Sequence, residues 1–97
     1  MAFTVREAVI ISTSELIADG HNQHIRAQVR CTDGPPDVYD VMILNTAAHR
    51  ILGLRAAGTS AALVVAGHLH PYNAPDGPRV ELALTHLGLG LESNFNF

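Results

Sequence analysis

Arg26 and Arg30 fall on one parity of the alternating run Ile25-Arg26-Ala27-Gln28-Val29-Arg30-Cys31, so both guanidinium groups leave the same side of a strand. Such groups pair with phosphates or stack flat on bases, although an ordinary solvated strand face carries arginines in the same way. His68 and His70 repeat the pattern at i, i+2 and, as partial cations below about pH 6.5, would strengthen the binding of a polyanion. A zinc site needs three or four converging ligands, which the spacing of the six histidines does not force, so no metal or cofactor is expected. Tyr72 offers a ring that either stacks on a base or covers a rim, and Arg79 follows at the far foot of the same turn. Tyr39 alternates with core residues and reads as structural. Arg50 and Arg55, on the expected helix, read as solvated or as partners of a helix C-terminus.

Catalysis finds no support in these patterns. Ser12, Thr13, Ser14 and Thr32 have no nucleophile-elbow setting, and no glycine loop of the phosphate-cradling kind occurs. The expectation is a non-enzyme.

Composition narrows the class further. Ninety-seven residues form one domain, and 47% hydrophobic with 15% charged residues is too apolar for a disordered chain. A membrane helix needs roughly 20 apolar residues in a row, and none is present; a soluble, cytoplasmic protein is expected. The single cysteine, Cys31, closes no intrachain disulfide. A formal charge of −3, with all six cations arginine, argues against a strongly electrostatic nucleic-acid binder.

The elements that must position these residues are read from periodicity and turn signals. A first strand spans about Phe3 to Thr13, apolar on both faces around Val9-Ile10-Ile11 and therefore central or covered. Asp19-Gly20 turns into a strand from His24 to Thr32, with Ile25, Ala27, Val29 and Cys31 facing one way. Asp33-Gly34-Pro35-Pro36 turns into a third strand, Val38 to Leu44, with Tyr39, Val41 and Ile43 sharing a face. Asn45 or Thr46 caps a helix carrying Ala48, Ile51, Leu52 and Arg55, which Gly58 ends. A strand from Ala61 to His70 is closed by Pro71, and Pro75-Asp76-Gly77-Pro78 forms a hairpin tip. A final strand runs from Arg79 to about Leu87. The domain spans residues 1–91, and residues 92–97 form a short tail.

Three strands, a helix and a hairpin match the chain order of the five-stranded oligonucleotide-binding Greek-key barrel, an all-β fold with one helix, β-β-β-α-β-β. The segments Ile25-Arg26-Ala27-Gln28-Val29, Val38-Tyr39-Asp40-Val41-Met42-Ile43-Leu44, Val65-Ala66-Gly67-His68-Leu69 and Asp76-Gly77-Pro78-Arg79-Val80 resemble bacterial single-stranded DNA-binding proteins. The resemblance runs from about Val5 to Leu91 and includes single-barrel members of the primosomal replication protein N type.

The resemblance implies a single-stranded DNA-binding protein of replication, repair or recombination. Its candidate contacts are Arg26, Arg30, Leu44, His68, His70, Tyr72 and Arg79. It also departs from the family. Leu44 stands where members usually carry tryptophan, His68 where they typically carry arginine, and the end Asn94-Phe95-Asn96-Phe97 keeps phenylalanine without the acids of the family's tail. Weak binding helped by assembly into a homodimer or homotetramer is the outcome these departures suggest, since multiple weak contacts add. The alternative is a protein-interaction barrel that docks on a replication or repair protein with little DNA affinity. Oligo-dT titration at two salt concentrations separates the two.

Overall fold

The computed structural model describes residues 2–59, 62–89 and 93–96. In chain order these form β1 (Phe3–Thr13), β2 (Ile17–Asp19), β3 (Asn22–Cys31), β4 (Val38–Leu44), α1 (Asn45–Ala56), β5 (Ala62–Ala74), β6 (Gly77–Leu89) and β7 (Ser93–Asn96). The seven strands belong to one sheet. β1 pairs antiparallel with β5, β5 with β6, β6 runs parallel to β4 at Asp40 and Glu81, β4 pairs with β3, and β3 pairs back with β1. The central place expected for the first strand is thus observed. Among the described residues no helix is long and apolar enough to cross a membrane.

Parity decides what is buried. On β3 Ile25, Ala27, Val29 and Cys31 are buried while Arg26 and Arg30 are exposed, and on β4 Tyr39, Val41 and Ile43 turn inward. These side chains join Leu63, Val65, Leu82 and Leu87 in a core closed on one side by Ala47, Ala48 and Ile51 of α1. Burying each Leu, Ile or Val contributes roughly 1.5–3 kcal/mol, and this sets the sheet's register.

Two irregularities re-aim side chains. Between Ile10 and Ser12 the β1–β3 register slips by one residue, leaving Ile11 unpaired and Ser12 opposite Gln28. Between Ala66 and Gly67 the partner strand skips Thr85, so the inward positions of β6 change from Leu82 and Leu84 to Leu87 and Leu89. Gly67 sits against this bulge, where a Cβ would collide with the backbone carbonyl of Ala83.

Four expectations need correction. Five strands become seven, because short β2 extends the turn at Asp19-Gly20 and Ser93–Asn96 pairs with β6 instead of forming a tail. Glu92 and Phe97, like the expected strand start at Ala61 and the domain end at Leu91, lie outside the described residues.

Pro71 does not close β5, which continues to Ala74. The Leu69 N–H points away from β6 and donates to the Ala2 carbonyl (2.9 Å), so Pro71, on the same parity, would aim its N–H past the end of β1, where no ladder bond is lost.

Asn45 and Thr46 do not cap α1. Leu44 is the N-cap, without a side-chain bond, and Asn45 instead accepts the Gln23 N–H at 3.0 Å. The other end follows the sequence: Gly58 has φ +71°, and the N–H groups of Gly58 and Thr59 reach the carbonyls of Arg55 and Leu54, a Schellman ending.

Candidate nucleic-acid interface

The outward residues of β3 and β4 form the floor of a groove. Arg26 lies opposite Met42 and Gln28 opposite Asp40. One wall is the end of β1 at Ser12–Ser14, which the bulge at Ile11 turns outward; Ser14 extends the pairing, its N–H donating to the Arg26 carbonyl (2.7 Å) and its hydroxyl accepting the Arg26 N–H (3.0 Å). The other wall is the β5–β6 hairpin with Tyr72, Asp76 and Arg79. The groove encloses about 710 Å³, a size suited to a nucleotide-sized ligand.

Asp40 organises its centre. The Tyr72 hydroxyl and the Arg79 Nε–H both donate to Asp40 Oδ2 at 2.8 Å; the Arg79 terminal nitrogen Nη2 and the Gln28 amide (3.4 Å) donate to Oδ1. The remaining terminal nitrogen of Arg79 faces Asp76 at 3.6 Å. Burial pushes the Asp40 carboxyl up, but the hydrogen bonds from Arg79 and Tyr72 outweigh it and hold the group below the usual carboxylate range. The same bond raises the Tyr72 phenol above its ordinary value.

Arg26 differs from Arg79. Its guanidinium has no side-chain hydrogen bond or ion pair among the described residues, so it faces the groove as an uncompensated cation. Met42, opposite it on β4, and Tyr72, on the hairpin wall, are 46% and 41% exposed, which adds apolar surface to the groove.

Of the residues singled out in the sequence, Arg26, Tyr72 and Arg79 meet in this groove. Arg30 shares the outer face of β3 beyond it, and Leu44 lies opposite His24 at the other end of β4. His68 packs edge-on against Phe3, ring centroids 5.2 Å apart, and neither it nor His70 lines the groove. Among the described residues no three His, Cys, Asp or Glu side chains gather as a metal site. Sequence reasoning missed Asp40 and Gln28, whose outward parity on neighbouring strands was the available signal. It also missed that the groove holds two cations, Arg26 and Arg79, against three carboxylates, Asp40, Asp76 and Glu81.

A second polar cluster lies elsewhere. Arg6 donates from Nε to Asp33 Oδ1 (2.7 Å), from Nη1 to Asp37 Oδ2 (2.9 Å) and from Nη2 to the Pro35 carbonyl (2.7 Å), while the Glu7 N–H donates to Asp33 Oδ2. This clamp fixes the β3–β4 loop to β1. No protein-family model, curated protein or solved structure matches the chain.

Proposed function

We propose that the chain is a non-catalytic oligonucleotide-binding barrel, akin to the bacterial single-stranded DNA-binding proteins it resembles, that takes a single strand weakly in the Arg26–Met42–Tyr72 groove. The observation that carries this reading is the groove's position. It lies over the outer faces of the second and third long strands, between the loop after the first and the hairpin joining the last two, where barrels of this type receive oligonucleotides. Arg26 takes a phosphate, while Met42 and the Tyr72 ring present apolar surface to a base. Arg30, His70, His68 and Leu44 offer further contacts along the same outer surface. A second copy covering the exposed apolar strip of Phe3, Val5 and Val64 would multiply these contacts.

One observation favours a second reading. The excess of carboxylates over cations in the groove suits a basic protein segment of a replication or repair partner better than a polyanion. Titration of labelled oligo-dT at two salt concentrations decides. Binding in the micromolar range that weakens with salt at a log–log slope near −0.7 per phosphate, and weakens again in Arg26→Ala, supports the nucleic-acid reading. Absence of binding at about 50 mM salt leaves the protein-docking one.

A further inference from the structure

Building on the nucleic-acid reading of this groove, we propose that Asp40 is a built-in phosphate mimic, a carboxylate of the chain itself that fills the groove's anion position and withholds Arg79 from the backbone of a bound strand.

The contacts are those an incoming phosphate would make. A guanidinium fork holds the anion through two nitrogens, as it holds either a carboxylate or a phosphate, and a hydroxyl from Tyr72 and an amide from Gln28 complete the cradle. These three side chains lie on β3, β5 and β6, so the cradle draws on the whole groove and not on one turn. Asp76 faces the remaining terminal nitrogen of Arg79. An anion entering the groove therefore meets Arg26 directly but reaches Arg79 only by displacing Asp40. The charge imbalance follows: with Asp40 in place the groove is net negative, and without its charge two cations face two carboxylates.

Substituting Asp40→Asn keeps the shape and the oxygen that accepts from Tyr72 or Arg79, and removes the charge. Inorganic pyrophosphate and fluorescent oligo-dT are titrated separately into the full chain at low salt. The variant is expected to bind both about tenfold tighter than the parent, the equivalent of one additional charge-assisted hydrogen bond to the anion. Its oligo-dT affinity falls more steeply with salt, by about one additional phosphate. Adding Arg79→Gln abolishes the tighter binding. Equal or weaker binding of both anions by folded Asp40→Asn overturns the proposal. Tighter pyrophosphate binding with no oligo-dT binding keeps the mimic and rejects the nucleic-acid reading.

Asp40→Ser provides a second test should Asp40→Asn fail to fold: with the carboxylate gone and Arg79 left in place, pyrophosphate again binds about tenfold tighter than to the parent, and equal or weaker binding rejects the mimic.

Discussion

Arg6 and Asp33 stand 2.7 Å apart although 27 positions separate them in the chain, and their contact joins the first strand to the loop that follows the third. Asp37 and the Pro35 carbonyl complete the clamp on a guanidinium side chain that is 14% exposed. Arg6→Met is expected to lower the melting temperature and to speed proteolysis between residues 32 and 37, with Asp37→Asn milder than Asp33→Asn because Asp33 also accepts from the Glu7 backbone. Unchanged melting in Arg6→Met would show that the loop is held without the clamp.

The clamp carries an acid dependence. The Glu7 N–H and the Arg6 guanidinium hold the Asp33 carboxyl below its ordinary value. A depressed folded pKa contributes stability above the unfolded value and loses it as pH falls through the folded one, so the loss begins below about pH 4. Melting temperatures recorded from neutral to acid pH should fall less steeply in Asp33→Asn than in the parent; parallel profiles would exclude Asp33 as a source.

The tyrosines should report on the groove from the alkaline side. Tyr72 titrates above about pH 10 because its hydroxyl donates to Asp40, and Tyr39 is pushed up by burial. A raised folded pKa contributes stability below the unfolded value and loses it as pH rises through the folded one. Alkaline ultraviolet titration of Asp40→Asn should bring one tyrosine back toward its ordinary value and leave the other high. Two unmoved tyrosines would contradict the Tyr72–Asp40 bond.

Glycine substitutions separate backbone conformation from crowding. Gly58 is left-handed but has open space around it, so Gly58→Ala should cost about 1 kcal/mol in urea denaturation. Gly67→Ala drives a methyl into the Ala83 carbonyl and should cost well above about 3 kcal/mol or prevent folding. Similar values for the two would remove the β6 bulge as the cause.

Leu82 and Met42 should behave oppositely. Leu82 is 1% exposed, so Leu82→Ala should lose about 2–5 kcal/mol of stability. Met42→Ala, on the groove floor, should change stability by less than about 0.5 kcal/mol while weakening oligo-dT binding. Calorimetry and anisotropy on both variants give the comparison.

The strands β3 and β4 were legible because each keeps one parity from end to end: Ile25 through Cys31 and Tyr39 through Ile43 mark a single buried face. β6 was only half legible. Its apolar residues change phase between Leu84 and Leu87, and a shift of one position is visible in sequence only to a reader who expects an extra residue at Thr85. Pro71 misled because a proline breaks a strand only where its N–H is needed, which depends on where β1 ends.

Asp40 stayed hidden for a related reason. Parity places Asp40 outward beside Gln28, but its other partners, Tyr72 and Arg79, lie 32 and 39 positions further on, and the parallel contact between β4 and β6 that brings them near leaves no local pattern. Arg26 was found because strand alternation alone exposes it.

Cys31, 2% exposed and the chain's one thiol, lies on the inward face of β3 just before the loop that Arg6 ties down. Thiol-reactive dyes should therefore be silent toward the native molecule, and the rate at which they react in native buffer becomes a clock for how often this corner of the sheet springs apart.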